Sequence, residues 1–314
     1  MPGFGGGMES ALLITQLLNG LQLGILLFLV AAGLTLIFGI MDFVNLAHGS
    51  FYMIGAYICG TLVYLLDSFV LAVILAVPLT LVVGYVAERL VARSIYARDH
   101  LDHVLATFGL ILIFDTGVHL LWGAEGMSIP LPDWLQGQVA FSSTIEVPSY
   151  RIAIIAVGLA VALGMFFVVT KTRIGMLIRA GASNRTMVQA LGIDIKNLFS
   201  LVFAAGAAIA GLAGMMIAPI TEASIGMGND IIIVAFVVII IGGIGSIKGA
   251  FIGALIVGMI DTMGRSYLDQ LFKLFMSDQN AETAAPAISA MLIYILMAAI
   301  LAVRPQGLFP PKVR

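Results

Sequence analysis

Long apolar runs alternate with short polar punctuation along the whole chain. A membrane-crossing helix needs about 20 mostly apolar residues. Candidates fall near 12–40, 46–66, 69–88, 104–123, 150–170, 199–219, 231–247, 249–268 and 286–303. The first is too long for one perpendicular crossing, so it carries an interfacial lead-in or a strong tilt. The pattern predicts an all-α, polytopic transmembrane helical bundle of about 8–9 spans with broken helices. A single membrane domain is expected over 11–304, between a flexible amino-terminal tail at 1–10 and a carboxyl-terminal tail at 305–314. The longest polar loops, 124–148 and 171–198, are too short to hold a soluble core.

Composition agrees. Hydrophobic residues make up 61% of the chain and charged residues 10%, against about 25% charged in soluble domains. Lipid must therefore solvate most of the outer face. Loop charges set the orientation. With the carboxyl terminus in the cytoplasm, Arg304, Lys312 and Arg314 lie inside. So do Arg89, Arg93, Arg98, Lys171, Arg173, Arg179, Arg185, Lys196 and Lys248, which gives 12 of the 15 basic residues. Arg151, Arg265 and Lys273 remain outside, and the amino terminus is expected there too.

Several chemistries lack residues. A net charge of −2 and the absence of basic stretches interleaved with aromatics give no reason to expect nucleic acid as a partner. The single cysteine, Cys59, allows no intrachain disulfide and argues against a cysteine-based metal cluster. "GGIGSIKG" (242–249) only superficially resembles a phosphate-binding loop, because its lysine precedes the final glycine. H-E-x-x-H is absent, and no Ser/His/Asp set has a recognisable context. No cofactor, metal site or catalytic residue is expected.

Polar residues inside the spans are the informative exceptions, since ionisable groups there are costly and face protein or water. "MDFVNLAHGSFYMIGAY" (41–57) places Asp42, Asn45 and His48 three apart, before Gly49 and Ser50. This reads as a helix break whose freed backbone groups Asp42, Asn45 and their neighbours satisfy. Lining of an inner gate and direct ligand contact are the alternatives. Asp115 and His119, four apart, share a face of the fourth span; they pair with each other or with another helix, or line a water-filled path. Asp261 in the eighth span has the same options. Gly243 and Gly245 mark a second break. "HGSFYMIGA" (48–56) and "KGAFIGALI" (248–256) are either an internal repeat or two helix starts rich in small residues. Gly206, Ala210 and Gly214, and separately Gly249 and Gly253, form small-residue faces suited to close packing in lipid, within the chain or at a subunit interface.

The loop "KTRIGMLIRAGASNRTMVQALGIDIKNLFS" (171–200) is basic but not uniformly polar. Ser183 can cap a helix over 184–191, which Gly192 can end. Met187 and Leu191 would share a face beside Ala190, with Val188 close by and Arg179, Arg185 and Lys196 flanking. Such a helix lies on lipid headgroups or docks in a groove of a cytoplasmic partner.

"RAGASNRTMVQALGI" (179–193) resembles the coupling loop of permease subunits in ABC importers. "GLTLIFGIMDFVNLAHGSFYMIGAY" (33–57), "IIGGIGSIKGAFIGALIVG" (240–258) and "ILAVRPQGLFP" (300–310) are similar to stretches of the branched-chain amino-acid permeases of the LivH type. The similarity covers nearly the whole chain in order. Ala180-Gly181-Ala182 stands where the older importer consensus has Glu-Ala-Ala. The resemblance implies a non-enzymatic subunit in a bacterial inner membrane that moves branched-chain or other small apolar amino acids. It implies as partners a second permease subunit (LivM-like or a second copy), two cytoplasmic ATPase subunits and a periplasmic substrate-binding protein. Contacts with the ATPase would involve Arg179, Ala180, Ala182, Ser183, Arg185, Met187, Leu191 and Gly192. Urea, short amides or aromatic acids are alternative cargoes for the same architecture. A secondary transporter using Asp115, His119 and Asp261 as a relay is a different mechanism for the same chain.

Overall fold

The computed structural model describes residues 5–142 and 145–310. Lys312 and Arg314, expected on the cytoplasmic side, lie outside the described residues, as do residues 1–4. The chain is a helical bundle with one small hairpin. Its elements are α1 (Gly5–Met41), α2 (His48–Leu66), α3 (Phe69–Ala87), α4 (Arg93–Ile95), α5 (His100–Trp122), α6 (Ser149–Lys171), α7 (Arg173–Ser183), α8 (Arg185–Ala190), α9 (Ile195–Thr221), α10 (Met227–Gly242), α11 (Ile247–Phe272) and α12 (Asp278–Val303). A π-helical turn, Glu88–Ala92, joins α3 to α4. Strands β1 (Gln138–Ser142) and β2 (Ile145–Pro148) pair antiparallel in the loop between α5 and α6. That hairpin has no counterpart among the elements expected from the sequence.

Among the described residues, eight helices are long and apolar enough to cross a membrane, and α10 is shorter. The bundle of about eight or nine spans expected from hydropathy is therefore the observed architecture. The differences lie at helix ends. The stretch expected as a tail at 1–10 is helical from Gly5 onward. The seventh candidate, 231–247, is the 16-residue α10, which starts after a glycine turn at Gly226. Helix α12 begins at Asp278, two turns before the apolar run does, because its first turns are polar but still helical.

Helices α1, α2 and α9 form the buried centre, and α11 packs along α1. By contrast, α5 and α6 carry Leu120, Leu121, Leu163, Phe166 and Phe167 on the outside. Apolar faces of this extent on a soluble protein would drive association; in a bilayer they meet lipid tails.

Lipid offers no hydrophobic force to push helices together, so contact must come from close packing. The small residues provide it within the chain. Gly206 lies against Gly33 and Ile37, Gly249 against Gly242, and Gly253 against Val238. At Gly214 a Cβ would run into the carbonyl oxygen of Tyr52, so α9 and α2 touch backbone to backbone. Gly109 on α5 faces open space.

Gly214→Ala should therefore lower the thermal midpoint in detergent by several degrees, matching the roughly 1–3 kcal/mol of overpacking. Gly109→Ala should leave it unchanged or slightly higher. Cys59 is buried, so a maleimide fluorophore reports the unfolding of both variants.

Candidate functional site

The break between α1 and α2 is one half of the site. Asp42 has φ of 51°, in the left-handed region, and ends α1. The three polar residues spaced along 42–48 then go to different places. Asp42 is exposed, with its carboxylate 4.0 Å from the His100 ring. Asn45 is fully buried, and neither side-chain atom has a partner among the described residues. His48 is fully buried on α2 and donates from Nε2 to the Val30 carbonyl at 3.1 Å. Gly49 packs on Gly228 at the start of α10. The sequence suggested that Asp42 and Asn45 satisfy the freed backbone. Instead Thr107 of α5 accepts the Leu46 N–H at 3.2 Å, and its own hydroxyl donates to the His103 carbonyl at 2.7 Å. A tertiary partner reaches the break where local side chains do not.

The other half is α7 and α8. The expected cap is corrected by one residue. Ser183 closes α7, and Asn184 is the N-cap of α8, its side chain accepting the Met187 N–H at 2.9 Å. Asn184 has the extended backbone an N-cap requires, while Ser183 is still helical. Gly192, with φ of 84°, ends α8 as expected. The N–H groups of Gly192 and Ile193 donate to the Gln189 and Val188 carbonyls at 2.9 and 3.3 Å, a Schellman closure.

This geometry presents one apolar face outward. Met187 is 61% exposed and Leu191 75%, while Val188 is 5% exposed and anchors the helix to the core. Ala182, Ser183 and Ala190 are also exposed. Arg179 of α7 folds back and donates to the Val169 carbonyl near the end of α6, and Ala180 packs against the core. Arg185 reaches inward. Its guanidinium stands 3.5 Å from the Ile40 carbonyl in the last turn of α1 and lies over the Phe199 ring at 5.3 Å. A cation there suits the negative end of the α1 dipole.

From Phe199 an aromatic chain runs to the break. Phe199 meets Tyr96 at 5.8 Å, and Tyr96 meets Phe43 at 5.5 Å. Phe43 touches the His103 ring at 4.5 Å. The Tyr96 hydroxyl donates to the buried Glu88 carboxylate at 2.6 Å. Burial, and secondarily that carboxylate, pushes the Tyr96 pKa up. Sequence reasoning missed Glu88, Tyr96, Phe199 and Thr107. Glu88 closes the candidate span 69–88 beside Arg89, and nothing in the sequence marks it as buried. Only the π turn rotates it inward.

The remaining candidates are dispersed. Asp115 pairs with Asn229 of α10, whose amide donates at 3.1 Å; His119 is exposed. Asp261 accepts two hydrogen bonds from Arg265, at 3.0 and 3.1 Å. Gly243 and Gly245, with φ of 106° and 82°, form the turn between α10 and α11. The end of the chain docks on it: Leu308 and Phe309 donate to the carbonyls of Ile241 and Gly242, both at 2.9 Å. The two carboxyl-terminal stretches singled out in the sequence are thus in contact. "HGSFYMIGA" and "KGAFIGALI" each lie at a helix start. Among the described residues, no group of three His, Cys, Asp or Glu is placed to hold a metal ion.

Lipid-facing helices around a bundle with internal breaks, and a helix presented at one end, define a multi-pass membrane protein. The chain belongs to the family described as "Branched-chain amino acid transport system / permease component", whose model matches residues 16–301. It is 31% identical to the high-affinity branched-chain amino acid transport system permease protein BraD of Pseudomonas aeruginosa, over 83% of this chain and 89% of that one. It is 29% identical to the corresponding permease protein LivH of Escherichia coli K12, over 83% and 88%. A probable branched-chain amino acid transport permease protein LivM of Methanocaldococcus jannaschii is 29% identical over 77% and 68%. No solved structure matches the chain.

The cap assignment is open to test. Asn184→Ala should cost α8 about 1 kcal/mol and raise hydrogen-exchange rates of amides 187–190 several-fold. Ser183→Ala should leave those rates unchanged.

Proposed function

We propose that this chain is the membrane-spanning subunit of an ABC importer for branched-chain amino acids, without enzymatic activity of its own. ATP would be hydrolysed by two separate cytoplasmic subunits. A second permease subunit would complete the membrane part, and a periplasmic binding protein would deliver substrate. The observation that carries this reading is the exposed Met187–Leu191 face on a helix fastened to the bundle by Val188 and Arg185. An exposed apolar helical face is what a groove on a partner recognises. The relatives named above favour branched-chain amino acids as cargo.

The proposed orientation puts α8 in the cytoplasm and the amino terminus outside, in keeping with the distribution of basic residues among the loops. Force applied to α8 would pass through Arg185 to the end of α1 and to Phe199, and onward through Tyr96 and Phe43 to the break at 42–47. Packed cores respond by discrete rigid-body shifts rather than by bending. The break and the glycine turn at Gly243–Gly245 are where helices can change direction. Alternating exposure of a central path would follow.

Leu191→Asp tests the docking reading. In vesicles carrying the complete transporter, ATP-driven leucine uptake should fall at least tenfold, and ATPase subunits should wash off the membrane. Normal uptake and retention would sink the assignment of α8.

A further inference from the structure

Helix α10 starts deep inside the bundle. His48, the first residue of α2, bonds to Val30, eleven residues before α1 ends at Met41. That end of the bundle is marked by Asp42, which stands beside His100 at the start of α5. At 1.5 Å per residue, eleven residues rise about 16 Å, half of a hydrocarbon core about 30 Å thick. Gly49 packs on Gly228 at the start of α10. Asp230 follows within one turn, and the Asn229 amide binds Asp115 of α5 at 3.1 Å. Both carboxylates therefore stand near the middle of the membrane.

The segment that leads into α10 also lies below the outer helix ends. Ala223 pairs with Met127 through bonds of 2.8 and 2.9 Å. A Cβ on Gly60, six residues before the end of α2, would meet the Met127 sulfur. Even so, Glu222, Ser224 and Asp230 are exposed, as is His119 of α5, and Asp115 is half-buried. Large apolar side chains share this edge. Leu112, three residues before Asp115, is 53% exposed, and Ile233, three after Asp230, is 54% exposed. Against lipid, an ionisable group at such depth is costly. Irregular backbone there is tolerated only where protein covers it or water reaches it. The outer face of α6 meets neither difficulty: Leu163, Phe166 and Phe167 are exposed, and residues 152–170 carry no charge.

We propose that this edge of α5 and α10 packs, across a water-filled seam, against a second membrane chain of the same fold. The charge pattern selects that partner. A two-fold axis through the edge sets α5 of one chain against α10 of the other. His119 of one chain then faces Asp230 of the other, while Asp115 keeps its bond from Asn229. A wholly apolar partner would leave the Asp230 carboxylate without an answering group. Identifying the second chain as the other permease subunit rests on the function proposed above. That the edge does not face lipid stands on depth and exposure alone.

The test uses the assembled transporter in its membrane, with the photo-crosslinker p-benzoylphenylalanine placed at Leu112, at Ile233 or, for comparison, at Leu163. Leu112 and Ile233 should each give an adduct with a second membrane chain, mapped by peptide mass to the matching edge. Leu163 should give lipid adducts. A charged methanethiosulfonate probes for water. Ser224→Cys and Asp230→Cys should react at least tenfold faster than Leu163→Cys. Buried Cys59 supplies the background, and an unchanged thermal midpoint checks folding. Three results would each overturn the proposal: lipid-only adducts at Leu112 and Ile233, adducts there with an ATPase or binding-protein subunit instead, or Ser224→Cys and Asp230→Cys reacting as slowly as Leu163→Cys. Crosslinking needs neither cysteine variant, so a variant that misfolds leaves the test standing. ATP-driven uptake by the same preparation separates the two readings. Uptake with lipid-only adducts refutes only the seam, and chain-to-chain adducts without ATP dependence refute only the importer.

Discussion

Direct contact between backbones is the constraint on which this fold depends. In water, apolar side chains would press the helices together; in lipid that force is absent. The central helices instead meet where side chains vanish, as at Gly214 on Tyr52 and Gly49 on Gly228. Such contacts leave little room for sliding, so the helices behave as rigid pieces that move, if at all, as units. The motion proposed above would then fall where the helices are interrupted, as at the break at 42–47 and the turn at 243–246.

The interior breaks bring a second requirement. Backbone groups freed inside a membrane must find protein partners, because no water is at hand. Thr107 supplies one for Leu46, while His48 adds a bond from α2 to the Val30 carbonyl within α1. The break and α5 are therefore joined close to Phe43, which the aromatic chain reaches from α8, so a structural need and the force path proposed above coincide there.

Much of this was legible in the sequence, because the bilayer imposes a simple rule on length and hydropathy. The spans, the break after Met41, the closing glycine of α8 and the small-residue faces all follow from local pattern. What escaped depends on distant partners or on subtle backbone choices. Ser183 and Asn184 are adjacent and both good caps; only the observed dihedrals choose between them. Asp115 pairs with another helix, one of its two expected options, but its partner Asn229 lies 114 positions away and could not be named from local pattern. Nothing in the local pattern announced that a π turn would set Glu88 against Tyr96. Asp261 was read as a span residue and Arg265 and Lys273 as outer charges; that Arg265 pairs with Asp261 and Lys273 with Asp269 escaped, because the pairs straddle the end of the apolar run.

The docked end of the chain has an evolutionary corollary. Gly243 and Gly307 lie so close that a side chain added to Gly307 would strike the backbone of Gly243, while one on Gly243 would strike that of Phe309. Both also hold left-handed backbone angles. Neither position is free to drift on its own, so two segments some sixty residues apart in the chain must be inherited as a matched set.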